Sequence, residues 1–153
     1  MMAPVETRQS LNAPALVWES PRLDRVPREL TQVGPSTDGG PGGESLVFLV
    51  EKAAVGANPF PAGVTVGRAP TSDLVIEHST VSRFHAWIEH DARTDLWMVT
   101  DAESRNGTWL NGLALGPRQC RALCDSDVLR LGDAVLRFLL PDSLVAYVRD
   151  RAA

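Results

Sequence analysis

The chain has 153 residues, 44% of them apolar, and a formal net charge of −4 from 19 acidic and 15 basic side chains. That length suits one domain with short extensions, and that apolar share allows a packed core. The acidic balance argues against general nucleic-acid binding, which needs a basic surface, and no segment approaches the roughly 18 uninterrupted apolar residues that cross a bilayer.

Residues 1–44 carry Pro4, Pro14, Pro21, Pro27, Pro35 and Pro41, and 34–43 read GPSTDGGPGG. This composition predicts a weakly structured N-terminal arm over 1–44. Two short apolar patches, 15–18 and 26–30, interrupt it, and Thr7, Thr31 and Thr37 lie on it as candidate phosphorylation sites. Residues 1–10 lack the apolar stretch of a secretory signal, so a cytoplasmic location is expected. From residue 45 the texture changes. Segments 46–51, 63–67 and 73–76 are rich in β-formers. In 84–89, Phe84, Ala86 and Ile88 alternate with His85, Trp87 and Glu89, the period of a strand. Segment 96–100 follows, then 108–110, which runs into Asn111 and Gly112, a strong hairpin signal. Segments 127–131 and 134–140 are joined by Gly132 and Asp133. Short strands between closely spaced turns, with no helical period among them, predict an all-β antiparallel sandwich or barrel over 45–140. Residues 141–153 predict a short C-terminal helix: Pro141 and Asp142 open it, and Leu144, Val145 and Val148 form its stripe. Arg149 and Arg151 suit its C-terminal dipole.

Cys120 and Cys124 have no second cysteine pair and no adjacent histidine. They make a poor zinc site and predict two partly buried thiols in or beside a strand, with no disulfide. His78, His85 and His90 show no metal-ligand spacing with carboxylates, so no metal or cofactor is expected. Trp87, Trp97 and Trp109 fall inside strands and suit core or sheet-face packing rather than a base-stacking platform. Lys52 is the only lysine; arginine, whose planar fork grips phosphate bidentately, supplies the other cations.

Three motifs occur in order: Gly67-Arg68, then Ser82-Arg83-Phe84-His85, then Ser104-Arg105-Asn106-Gly107-Thr108, with Asn111-Gly112 after them. Arg68, Ser82, Arg83, Ser104, Arg105 and Asn106 sit at strand ends or in loops. A sandwich that gathers those loops at one edge makes a pocket of donors for a phosphate monoester, which carries about −1.5 to −2 charges and three acceptor oxygens. A serine–histidine catalytic pair is not expected, since positions i and i+3 of a strand face opposite ways and no nucleophile elbow surrounds Ser82.

This ordered set resembles the signature of the forkhead-associated (FHA) domain family, over about residues 46–140. The resemblance implies an all-β fold, an FHA/SMAD-like antiparallel β-sandwich of about 10–11 short strands, in a bacterial-type single-domain protein. It implies a phosphothreonine-peptide-binding adaptor in Ser/Thr kinase signalling, not an enzyme. Arg68 and Ser82 would hold the phosphate, Arg83 and Arg105 would flank it, Ser104 would belong to the same binding edge, and Asn106 would set the register of the peptide backbone. His85 would brace the loop that carries Ser82. Gly67, Gly107 and Thr108 would shape turns, with glycine supplying positive φ, and Asn111 and Gly112 would serve the hairpin. The implied partner is a phosphothreonine-containing protein, a Ser/Thr kinase or its substrate, and neither nucleic acid nor membrane. The alternative is a phosphate-independent interaction module that uses the sheet face or the terminal extensions.

Overall fold

The computed structural model describes residues 13–19, 45–53 and 60–152. Two sheets face each other. Strands β1 (Ala15–Glu19), β2 (Ser45–Leu49), β7 (Thr108–Leu110), β8 (Leu113–Leu115), β10 (Val128–Leu131) and β11 (Ala134–Leu139) form one, in the order β2-β1-β11-β10-β7-β8. Strands β3 (Val64–Gly67), β4 (Leu74–Val75), β5 (Ala86–Asp91), β6 (Leu96–Asp101) and β9 (Cys120–Leu123) form the other, in the order β4-β3-β5-β6-β9. The expected all-β sandwich is the observed one. Leu16, Val66, Ile76, Ile88, Val99, Leu129, Leu131, Leu136 and Phe138, each 0–1% exposed, fill the space between the sheets.

The expectation of a weakly structured arm fails at Ala15–Glu19. This segment is β1, an interior strand flanked on both sides. Ala15 pairs with Leu139 of β11 and with Leu49 of β2. Leu16 and Trp18 enter the main core, while Ala15 and Val17 face the opposite way into a second cluster with Leu139 and Leu144. Burial on both faces removes any need for polar alternation, which is why this strand is a continuous apolar run. The patch at 26–30 and the threonines Thr7, Thr31 and Thr37 lie outside the described residues.

Two further strands extend the predicted set. β8 completes the hairpin begun by β7; Asn111 at φ 51° and Gly112 at φ 86° close it with the two positive values that a primed turn requires. β9 pairs with β6 at the edge of its sheet, Cys120 opposite Thr100. Cys120 and Cys124 are exposed rather than partly buried. They are separated by an extended segment of about 13 Å, beyond the roughly 7 Å that a disulfide tolerates between Cα atoms.

The C-terminal helix, α1 (Pro141–Ala152), packs on the outer face of the six-stranded sheet. Its entry is held by Asp125, which accepts from Leu140 N at 2.8 Å and from Ser143 Oγ at 2.5 Å. Leu144 is fully buried and Tyr147 donates to Ser45 Oγ at 2.8 Å. The packed stripe therefore runs through Leu144 and Tyr147; Val148 remains 40% exposed. On the other sheet, Asp73 anchors the start of β4. It accepts from Lys52 Nζ at 2.8 Å, Ala53 N at 2.7 Å and Thr65 N at 2.8 Å. Burial works to raise the pKa of this carboxyl, but those hydrogen bonds outweigh it and hold the pKa below the ordinary aspartate value.

Candidate functional site

The β3–β4, β4–β5 and β6–β7 connections meet at one end of the sandwich. They enclose a cavity of about 380 Å³ whose lining includes Arg68, Ser82, Arg83, Arg105 and Asn106. Five of the six residues expected to bind thus share one concavity. The guanidinium groups of Arg68, Arg83 and Arg105 form no ion pair among the described residues. Glu103 also lines the cavity, but its carboxylate is engaged by Arg118 Nε at 2.9 Å.

Backbone bonds set each side chain. Arg68 N donates to Ser82 O at 2.9 Å and Arg68 Nε donates to Val81 O at 2.9 Å, which tethers its guanidinium to the β4–β5 loop. Ser82 Oγ accepts from Arg105 N at 2.9 Å. Its own O–H is thereby left to donate to a ligand, with the oxygen already held in place. Asn106 Nδ2 donates to Thr80 O at 2.8 Å, so its Oδ1 can accept from a peptide N–H.

His85 is fully buried and joins two loops of the cavity. Its Nδ1 accepts from Ser82 N at 3.0 Å, which places the ring proton on Nε2, and Nε2 donates to Gly107 O at 3.0 Å. Burial pushes its pKa below the usual histidine value, against the opposing pull of the Gly107 carbonyl and the Asp101 charge. The imidazole takes the Ser82 backbone N–H while the Ser82 hydroxyl faces Arg105 N, an arrangement unlike a nucleophile and its base.

Ser104 stands apart from the other five expected binding residues. Its hydroxyl donates to Asp101 Oδ1 at 2.6 Å and accepts from Gly107 N at 3.1 Å, so it braces the β6–β7 turn. Thr108 Oγ1 donates to the same Asp101 oxygen at 2.7 Å. Asp101, 3% exposed, is therefore the organising carboxylate of this loop, and no motif-based reading singled it out. Gly67 does not adopt positive φ; its reason is space, since a Cβ there would stand 1.9 Å from Arg83 O. Gly107, at φ +93°, does fit the expectation of positive φ. Asn111 and Gly112 lie away from the cavity: Asn111 donates to Asp127 Oδ1 at 2.9 Å and accepts from Val128 N at 2.9 Å.

Ser79 and Thr80 line the cavity and were missed by sequence reasoning. Thr80 ties the site to the far hairpin: its Oγ1 accepts from Asp133 N at 2.7 Å. Gly132, at φ +60°, lets that hairpin approach, because a Cβ there would lie 2.5 Å from Thr80 O. The only sequence signal for these contacts was the turn dipeptide Gly132-Asp133.

A two-sheet sandwich with a donor-rich cavity built entirely from loops at one end is the architecture of a recognition module. The chain belongs to the FHA domain family. The model of that family, described as the FHA domain, matches residues 64–132. The chain is 31% identical over 114 residues to an oxoglutarate dehydrogenase inhibitor of Corynebacterium glutamicum, covering 71% of this chain and 76% of that protein. It is 35% identical over 69 residues to the FHA domain-containing protein PS1 of Arabidopsis thaliana, covering 45% of this chain and 5% of that protein. The chain spans less than half the length of several curated relatives it matches, 5%, 26% and 47% of three of them. Among solved structures it resembles the FHA domain of a hypothetical protein of Arabidopsis thaliana, with a TM-score of 0.53 at 23% identity over 85% of this chain and 87% of that one. That likeness concerns the fold.

Proposed function

We propose that this protein binds phosphothreonine-containing segments of other proteins through the loop cavity and acts as an adaptor in Ser/Thr kinase signalling. One observation carries the reading: Arg68, Arg83 and Arg105 converge on a single cavity with no carboxylate paired to any of them among the described residues. A phosphate monoester supplies the missing charge and enough acceptors for the Arg68 fork and the Ser82 hydroxyl together. The other arginines flank the phosphate, and Asn106 holds the peptide backbone. A solved FHA domain of this fold, with a TM-score of 0.51 at 20% identity, was studied for phosphothreonine-dependent interactions. The corynebacterial relative is named an inhibitor of an enzyme, a role that a docking module can fill without catalytic groups of its own. The partner is a Ser/Thr kinase or one of its substrates.

Charge-assisted hydrogen bonds contribute about 1.5–3 kcal/mol each. Two or three of them, offset by the ordering of the peptide, correspond to micromolar affinity. Isothermal titration of a phosphothreonine peptide and its unphosphorylated twin against wild type and Arg68→Ala tests the reading. The phosphopeptide alone should bind, and Arg68→Ala should weaken it by at least about tenfold. Equal binding of both peptides sinks the proposal.

A further inference from the structure

Three aromatic rings close into a cluster beside the loop end of the sandwich. Trp87 lies on β5 between Thr65 of β3 and Thr100 of β6, while its neighbours Ala86 and Ile88 face the core with no exposure. Its ring therefore lies on the outer face of the five-stranded sheet. Phe60 stands 5.3 Å from it and Phe84 5.9 Å, and Phe60 and Phe84 meet edge to face at 5.2 Å. All three separations fall within the range of attractive ring pairs. Lys52 Nζ donates to Phe60 O and Gly63 O, each at 3.0 Å, and to Asp73 Oδ2 at 2.8 Å. The Asp73 side chain is 1% exposed, so this bracket fixes the backbone of Phe60 to a buried anchor. A surface held in this way has little conformational freedom left to lose on meeting a ligand. Phe84 nevertheless remains 40% exposed.

The cluster adjoins the arginine-lined cavity. Phe84 directly follows Arg83, which lines that cavity. Gly67, next to Arg68, approaches both: a Cβ there would stand 1.9 Å from Arg83 O and 3.1 Å from Phe84 Cα. Ala69 N also donates to Arg83 O at 3.2 Å. The rings and the arginines thus lie on either side of one backbone crossing. A segment held by its phosphate at the loop end reaches the rings by continuing over that rim. Passing one arginine side chain and one ring takes about 15–20 Å, or about five or six residues of extended chain.

We propose that the Phe60, Phe84 and Trp87 rings form an apolar subsite, which takes an aliphatic side chain of the phosphothreonine segment about five residues away from the phosphothreonine. This inference rests on the phosphothreonine reading and adds a class of target to it: phosphorylated segments with a leucine-like residue at that distance. The rings bury an aliphatic side chain without asking it for a hydrogen bond. A polar side chain would lose water there and gain no partner. The Lys52 ammonium has its three protons taken by Phe60, Gly63 and Asp73, and Glu89, the next residue of β5 on the same face, repels an acidic side chain. The phosphate contact makes binding depend on phosphorylation; the apolar contact discriminates among phosphorylated segments.

The probes are three phosphothreonine peptides of one Ser/Ala/Gly background, titrated calorimetrically into the full-length chain. One carries two leucines about five residues before the phosphothreonine, one carries them about five residues after it, and the third has serines in both places. One leucine peptide should bind about tenfold tighter than the serine peptide. In NMR titrations it should also move the Trp87 indole N–H and the Phe84 amide, which the serine peptide leaves in place. Phe84→Ser should bring that leucine peptide down to the affinity of the serine peptide; if the variant does not fold, the shifts in the wild-type chain decide. If no phosphopeptide binds, the phosphothreonine reading and this inference fall together. If all three bind equally, that reading stands and the inference is overturned. It is overturned as well if the shifts miss Trp87 and Phe84, or if both resonances move when the protein is concentrated without peptide, which would make the rings a contact between copies.

Discussion

At the residue scale the site depends on close approaches that leave no room for a side chain. Gly67 ends β3 where the backbone of Arg83 crosses it, and a Cβ would stand 1.9 Å from Arg83 O. Gly67→Ala should therefore push the β4–β5 loop outward. The expected loss is about 1–3 kcal/mol of stability, measured by urea unfolding, together with weaker phosphopeptide binding, since Arg68 and Arg83 flank the crossing. His85 makes the opposite kind of constraint, a buried bridge from Ser82 N to Gly107 O. Its pKa is lowered in the folded state, so the unfolded chain binds the proton more readily. Its contribution to stability is complete above the unfolded value of 6.5 and declines as pH falls below it. Thermal unfolding between about pH 7.5 and about pH 5.5 should show the midpoint falling, and His85→Gln should flatten that slope while lowering the midpoint at neutral pH. The motif made His85 conspicuous in the sequence; which hydrogen bonds it makes depends on loops that meet only in the fold. Asp101 had no motif signal, because a lone aspartate at a strand end is unremarkable until Ser104 and Thr108 are seen to donate to it.

At the element scale, period-2 patterning located most strands, and it failed where a strand begins or where both faces are covered. The alternation in 84–89 places His85 beside Trp87, yet β5 starts only at Ala86. Upstream of it the chain bends, His85 turns inward, and Phe84 packs with Phe60 and Trp87 on the outer side. β1 was illegible for a different reason. Its apolar run lacks alternation, and its partners are β2 and β11, the latter more than a hundred residues away in sequence. The helix was legible as an amphipathic segment, but its seat on the outer face of the sheet was not. Leu144 is fully buried there against Ala15, Val17 and Leu139. Leu144→Ala should cost about 2–5 kcal/mol, read from chemical denaturation, while the affinity of the distant arginine-lined cavity stays unchanged.

At the scale of the whole molecule, β1 makes the N-terminal segment part of the domain. A fragment beginning at residue 44 lacks the strand between β2 and β11 and uncovers both the main core and the seat of α1. Such a fragment should lose its cooperative thermal transition by circular dichroism and bind no phosphopeptide; a sharp transition with retained binding would show β1 to be dispensable. The acidic overall charge also bears on function at this scale, since a cluster of arginines with no ion pair among the described residues, on an acidic body, favours a local anion over extended polyanions.

The amino-acid sequence by itself determined the all-β class, most strand positions, the turns, and the ordered motifs that name Arg68, Ser82, Arg83, Arg105 and Asn106. Those features are local: they follow from side-chain period, turn chemistry and fixed spacing along the chain. Tertiary structure alone decided that β1 is an interior strand, that Ser104 braces Asp101 rather than lining the cavity, and that Gly67 is required by contact rather than by φ. The placement of β1 and the crossing at Gly67 depend on groups distant in sequence meeting in space, and the Ser104–Asp101 bond depends on how the β6–β7 turn folds; none of these leaves a periodic trace in the chain.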